Sequence, residues 1–524
     1  MPKVFFPSNA FKIALPFLAA VLLLFGHPIH SKPPAKNSGP NILRFDVPYS
    51  LGPFVINPTI QAGVTNVMPF VFSYLAVPDQ NGRLQPDLAE SWFYNDQTCE
   101  WTFYLRKDAR FHDGKPVTAS DVAFSLKTSM AFLMPELLAC IQFMEPVSDT
   151  KLRIRFSRND PEFLDKIWDL EIFQAPNPDA PPEEFLIGSG PFLLKEKNTQ
   201  QIVLKANKAY YRGRPSLDGM VFTFVPDQEQ TWTRLMGGRT DAAMEITPEN
   251  VPATEACADR FYINHHLLPF YTMLLFNAHD PLFSDVRVRK ALTMAIHRED
   301  FVQKILNGNG TVATGPMGLD PQYHNPKLDP VPYDPQNALE LLALAGWKPE
   351  AEGGFLIRDG KLFEFTVCLA EESSSHQRLA QYLRLCFNDI GIRLHARQMP
   401  MDALIRSYFG NREFQAVITE CRDPHRTFDH LKIFWSGTKT GGSMSGVEDA
   451  VLAGLFETLE AKTDPESRKD LFYAIEARIL DLQPAAFLYH ETVCDVLSRR
   501  FDLPGPFYLS PDRGWNLQFA FLKK

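Results

Sequence analysis

The chain has no long run of lysines and arginines, no Cys-x-x-Cys pair, no internal repeat and no second long apolar stretch after residue 25. The missing basic runs, with a net charge of −9, argue against a nucleic-acid partner. Without Cys-x-x-Cys, the seven cysteines (Cys99, Cys140, Cys257, Cys368, Cys386, Cys421 and Cys494) do not read as a metal or redox motif. Their odd number leaves at least one unpaired; export permits a disulfide, but buried free thiols describe most of them better. With a single long apolar stretch, the mature chain is expected to be soluble. No G-x-S-x-G elbow occurs, and no His, Cys and Asp residues concentrate as a bare metal ion requires.

What the chain does contain is ordinary for a large globular protein. Its 524 residues suffice for two to four domains, with 45% hydrophobic and 22% charged residues. Forty-two prolines and 42 phenylalanines point to many ordered loops and to large aromatic cores. Ile13 to Phe25 is apolar throughout, follows Lys3 and Lys12, and precedes polar, Pro-rich sequence. It is too short to span a bilayer comfortably and fits the core of a signal peptide over residues 1–31. No cysteine follows it closely, so a bacterial lipoprotein signal does not fit.

Residues 101–105, 152–156, 201–205 and 220–225 carry the alternation or β-rich composition of strands. Val288, Ala291, Leu292, Ala295, Ile296, Val302, Ile305 and Leu306 follow three-four spacing, which predicts one amphipathic helix over 288–306. Ser284 or Asp285 would cap it, and Asn307-Gly308 would end it. Further helices are predicted over 375–390, stopping at Gly391, and over 465–482, capped by Thr463-Asp464. The mixture indicates α/β lobes rather than a bundle or a sandwich.

Several enzyme-like patterns fail on context. Ser436 to Lys439 fits S-x-x-K and Lys439 to Gly441 fits K-T-G, but the two share a lysine and cannot play two roles. Gly308, Gly310 and Ala313 imitate a dinucleotide fingerprint but follow a helix, so a helix C-cap accounts for them better. His490-Glu491 lacks the second histidine of a zinc-protease motif. His265 and His266 are adjacent, so in a strand they face opposite ways. No nucleophile constellation emerges, and no catalytic residue, metal or cofactor is expected.

Three segments in succession carry a family likeness. They are Pro86 to Trp92 (PDLAESW), Trp101 to Arg106 (WTFYLR) and Phe111 to Val122 (FHDGKPVTASDV). Ile187 to Phe192 (IGSGPF) and Phe283 to Leu292 (FSDVRVRKAL), with Phe276-Asn277, add to it. The chain thereby resembles the extracellular solute-binding proteins, family 5, of peptide and nickel ABC importers. The resemblance implies an α/β fold, a two-lobed clamshell of the type II periplasmic-binding-protein kind with an extra domain inserted in lobe I. On that plan lobe I takes residues 41–78, 186–275 and 492–524, the inserted domain 79–185, and lobe III 276–491. Hinge strands would lie near 271–277 and 487–496.

The resemblance also implies site residues. Ala416 to Pro424 matches the family's strand-to-loop segment, whose first acid holds a peptide's α-amino group in oligopeptide-binding members. Glu420 takes that place, and Asp423-Pro424 match its end. The other reading of Glu420 is a surface acid at a strand end. Arg422 would meet a ligand carboxylate or neutralise Glu420 or Asp423. Gly63 and Val64, after Asn57-Pro58, would supply backbone that pairs with the ligand as an added strand. The function so implied is an exported, periplasmic binding protein that delivers a peptide or peptide-like solute to ABC permease subunits in the inner membrane. Nickel chelates, sugars and opines stay open as ligands, as does a receptor or chaperone role outside transport. The expected protein is a monomer with no nucleic-acid partner.

Overall fold

The computed structural model describes residues 40–48, 67–79, 83–175, 187–319, 321–351, 354–371, 373–409, 412–422, 429–436, 443–462 and 464–501. The predicted signal peptide, Gly63, Val64, Asp423 and the segment 437–442 lie outside the described residues. Among the described residues no helix is long and apolar enough to cross a membrane.

The first strands are β1 (Ile42–Pro48), the short pair β2 (Ala76–Pro78) and β3 (Leu84–Pro86), and then β4 (Ala89–Asn95), β5 (Glu100–Leu105), β6 (Ile141–Ser148) and β7 (Lys151–Phe156). The last four form an antiparallel sheet in the order β4-β5-β7-β6. Helix Ala119–Leu133 shares a core with it, built from residues such as Trp101, Phe103, Leu126 and Ile154. Next come β8 (Phe192–Lys197), β9 (Gln201–Ala206), β10 (Gly219–Val225), β11 (Ala242–Ile246), β12 (Phe261–Phe276) and β13 (Gly310–Val312). A small sheet of β14 (Lys348–Pro349), β15 (Leu356–Arg358) and β16 (Lys361–Leu362) follows. The chain then adds β17 (Glu364–Ala370), β18 (Arg393–Met399), β19 (Ala416–Arg422) and β20 (Ala485–Ser498).

A single large sheet takes the order β18-β17-β19-β12-β20-β11-β1-β10-β9-β8, with β13 beside β20. At one end β17, helix Ser374–Asp389 and β18 form a crossover unit with the strands parallel. In the middle, β12 and β20 run antiparallel along their 16 and 14 residues. The C-terminal half of β12 alternates between two cores, as strand geometry requires. Tyr271, Met273 and Leu275 face one, and Leu274 and Phe276 face the other. A separate core of Phe45, Phe70, Phe192 and Phe222 covers the β1–β10 region.

The four predicted strands are present, each within a residue of the expected bounds. Pro465–Leu482 is helical as expected, with the Asp464 carboxylate accepting from Ser467 N at 2.8 Å. The expected single helix over 288–306 is a correction. It is two helices, Val286–Met294 and Arg298–Lys304. His297 caps the second, its ring accepting from Asp300 N. The periodicity persists across the break because both helices bury apolar residues in the same core. Asp285, rather than Ser284, caps the first. All seven cysteines are free thiols. The adjacent histidines separate as alternation predicts: His265 is half-exposed against Glu255, and His266 is buried near Asp495.

The family-like motifs meet at junctions of the frame. Thr118 and Asp121 form a reciprocal capping box, and Asp121 also accepts from Ala175 N at 3.0 Å. His112 donates its backbone N–H to Gly188 O at 2.8 Å, and its ring meets Gly190 O at 3.0 Å. A Cβ at position 188 would sit 2.0 Å from Val71 O, so only glycine lets these backbones approach. Arg289 is 3% exposed and donates to four carbonyls, those of Phe283, Ser284, Leu482 and Gln483. It thereby joins the start of one helix to the end of another. Arg289→Met should strand those carbonyls and lower stability by roughly 3 kcal/mol, read from the midpoint of a denaturant titration. An unchanged midpoint would refute this role.

Candidate functional site

Acidic side chains from distant segments gather around the middle of the large sheet. Register places Glu420 of β19 opposite Thr272 of β12, and Thr272 opposite Tyr489 of β20. The three therefore form one row across the strands. Two-residue alternation along β20 puts Glu491 and Asp495 on the same face as Tyr489. A register shift between Ala243 and Ile246 interrupts the pairing of β11 with β20. At this bulge Glu245 adopts φ of +51°, in the left-handed region that is unfavourable for a side chain of this kind. Its backbone N–H donates to Asp495 Oδ1 at 3.1 Å, which fixes the bulge against β20.

Two basic side chains enter from the start of helix Ser374–Asp389. His376 Nε2 lies 3.2 Å from Glu420 Oε1, with the imidazole 5% and the carboxylate 45% exposed. Arg378 Nη1 donates to Glu249 Oε1 at 3.0 Å, tying the helix to the segment that follows β11. Glu245 and Glu491 have no such direct cationic contact among the described hydrogen bonds and ion pairs. Burial, the neighbouring Asp495 and Glu491, and then Glu420 push the Glu245 carboxyl up to about 8. Burial and the charge of Glu420 push Glu491 up to about 7, against the opposing pull of Arg378 and His376. Both carboxyls hold protons more tightly than ordinary glutamates do. The arrangement suits a cation: charge brought to these acids would be met in a partly desolvated setting, where ion pairing is strong.

Of the residues singled out from sequence, Glu420 lies in this cluster. Arg422 is the last residue of β19, two positions on, and its side chain is outside the described set. Gly63, Val64 and Asp423 lie outside the described residues. His376, Arg378, Glu245 and Glu491 were not anticipated as site residues. For Glu491 a signal existed: Tyr489, Glu491 and Asp495 place two acids at same-face positions of a largely apolar strand. For Glu245 no local pattern marks the bulge. Among the described residues no three His, Cys, Asp or Glu side chains are placed to hold a metal ion.

A model of the bacterial extracellular solute-binding proteins, family 5, middle region, matches residues 83–441. The oligopeptide-binding protein AppA of Bacillus subtilis is 29% identical over 452 residues, covering 81% of this chain and 82% of that protein. Heme-binding protein A of Haemophilus influenzae is 27% identical over 355 residues, 59% of this chain and 61% of that protein. Among solved structures, AppA from Bacillus subtilis in complex with a nonapeptide superposes with a TM-score of 0.77 at 24% identity, covering 93% of this chain and 100% of that one. NikA from Brucella suis in complex with Fe(III)-EDTA superposes with a TM-score of 0.82 at 19% identity, covering 92% and 100%. At these identities the two structures establish the shared fold.

The raised carboxyls set a pH dependence for the empty protein. A glutamate whose pKa is higher folded than unfolded binds more protons in the folded state, so stability falls as pH rises from about 4.5 towards 8. Glu245→Gln should therefore melt higher than the parent at pH 8, by roughly 2 °C or more, with the difference vanishing near pH 4.5. Melting curves across that range test it. A difference that stays constant with pH would show that Glu245 does not titrate this way.

Proposed function

Because the chain belongs to the bacterial extracellular solute-binding proteins of family 5, we propose that it captures a peptide or peptide-like solute between two lobes and delivers it to an ABC permease. Residues 1–31 act as the signal peptide, and the mature protein works in the periplasm. Lobe I comprises 41–78, 186–275 and 492–524, lobe III comprises 276–491, and residues 79–185 form the inserted domain. The long strands β12 and β20 serve as the hinge. Arg378 and Glu249 then face each other across the lobes, one on each side.

Glu420 carries this reading. It is half-exposed at the middle of the sheet and is oriented by a buried imidazole. A carboxylate so held is ready to accept an ammonium group, while closure of the lobes removes the remaining water. The two AppA matches, one to an oligopeptide-binding protein and one to its complex with a nonapeptide, support a peptide as the ligand class. His376 fixes the carboxylate from behind, leaving its exposed side for the ligand.

The test compares one peptide with a free amine against its N-acetylated form by calorimetric titration. Native mass spectrometry of freshly purified protein supplies the peptide sequence to use. Removing one partner of a fully buried charge pair costs about 3–5 kcal/mol. Glu420 is 45% exposed, so about half that cost is expected. Glu420→Gln should then weaken the free-amine peptide roughly tenfold to a hundredfold, at about 1.4 kcal/mol per decade. The acetylated peptide should bind weakly to both proteins. Equal affinity of the parent protein for the two peptides would take Glu420 out of the site.

A further inference from the structure

Beyond Glu420, the same face carries more carboxyl groups than one ligand amine would meet. The groups around Glu245 and Glu491 come from every element packed there. Glu420 comes from β19, and Tyr489 and Asp495 from β20. His266, facing Asp495, comes from β12. Glu249 follows β11, and His376 and Arg378 come from the helix. Arg378 already pairs with Glu249, and His376 with Glu420. Glu245 and Glu491 are the acids left over. Tyr489 marks the same spot independently. It is 2% exposed, and its hydroxyl lies beside Thr272, Glu420 and Glu491 without meeting a partner at full hydrogen-bond geometry. An enclosed hydroxyl in this state is a group that a ligand donor would satisfy.

We propose that Glu245, Glu491 and Tyr489 form a second cation pocket beside Glu420, so that the protein selects peptides or peptide-like solutes bearing a basic side chain as well as a free amine. The proposal rests on the reading of Glu420 as the acceptor of the ligand amine. An organic ammonium or guanidinium suits the pocket better than a bare metal ion, given the absence of a metal-holding group among the described residues. Charge balance follows from the chemistry. In the empty protein the two acids relieve their mutual repulsion by holding protons. When the ligand's cation enters, one carboxylic acid gives its proton to the buffer, and the resulting carboxylate pairs with the cation. Binding of a basic ligand is thereby coupled to proton release, whereas a neutral side chain at the same position releases none.

Two peptides of equal length, both with a free amine, differ only in carrying lysine or norleucine at one position. That position is scanned along the peptide, and each pair is titrated calorimetrically at pH 6.5 in buffers of different ionisation enthalpy. At one position the lysine peptide should bind at least about tenfold tighter and release roughly one proton, with none for norleucine. Glu491→Gln and Glu245→Gln should each shrink the ratio of lysine to norleucine affinity towards one. Both variants should fold, since each removes a carboxyl disfavoured by burial; a melting scan checks this. If lysine and norleucine peptides bind alike at every position, the second pocket is refuted and the Glu420 reading stands. If the lysine advantage survives both substitutions, the basic side chain binds elsewhere and the pocket is refuted. If neither kind of peptide binds, the peptide reading itself fails and this inference falls with it.

Discussion

The antiparallel pairing of β12 with β20 is the constraint on which the rest of the large sheet depends. At its C-terminal half β12 also pairs with β19, and through it reaches β17 and β18. At its C-terminal half β20 also pairs with β11, and through it reaches β1 and β10. Two strands therefore carry the ladder from one half of the sheet to the other. The ladder is irregular in the middle. Leu267 faces Thr492 and Tyr271 faces His490, so three residues of β12 oppose Glu491 alone. Pro269 lies in that interval, where its missing N–H removes no regular ladder bond. A bulge at this place turns the strand and re-aims side chains. The acids of the candidate site surround it. In the proposed closure, the part of the two strands with the fewest regular hydrogen bonds is the part that bends, and it is also the part that holds the ligand.

The electrostatics of this region differ from those of the surrounding frame. Elsewhere several acids are met by arginine. Asp241 accepts from Arg44 and Arg500, Glu100 from Arg153 and Arg155, and Asp449 from Arg478, and these three carboxyls are held below their ordinary range. Burial wins at Asp46 despite Arg234, and at Glu171, where the Tyr74 hydroxyl is the neighbouring donor. Glu245 lies among Asp495, Glu491 and Glu420, and Glu491 lies between the acids Glu420 and Glu249 and the bases Arg378 and His376. Folding places them there against the cost of burial and of mutual repulsion. That cost has no structural return in the form of an ion pair. A cationic ligand would supply one, which is the physical link between the strained bulge at Glu245 and binding.

The fold was legible in the sequence to the extent that local patterns decide local structure. Strand alternation located β5, β7, β9 and β10, and capping residues located helix Pro465–Leu482. Periodicity misread residues 288–306 because it reports which face is buried, and two helices on one core share a face. The break follows from His297, which caps a new helix through its own side chain, and from Arg298, which is buried and donates to the carbonyls of Ala313, Phe487 and Val331. Neither event has a hydrophobic signature. The site was less legible. Glu420 stood out through the likeness of its segment, but Glu245, His376 and Glu491 meet it through tertiary pairing alone. β12 joins the strands of Glu420 and Glu491, β20 joins that of Glu245, and His376 comes from a helix, so no spacing along the chain encodes their meeting.

The residues that made the family visible are, in the structure, occupied by the frame. Asp87 accepts from Tyr74 N, Tyr211 and Arg212. His112 is bound to the Gly188–Gly190 turn, and burial lowers its pKa, which keeps the ring neutral. Asp121 caps a helix, and Arg289 binds four carbonyls. Each of these groups has its hydrogen-bonding capacity directed to backbone or to a structural neighbour, so none is positioned to choose a ligand. In the proposed site, choice falls instead to side chains that no local geometry requires. A strand accepts valine or threonine at position 491 as readily as glutamate, and the bulge at 245 would favour glycine. An acid at both places is unfavourable for folding and has no role in the ladder. The proposed ligand cation would give both acids a role that the ladder does not.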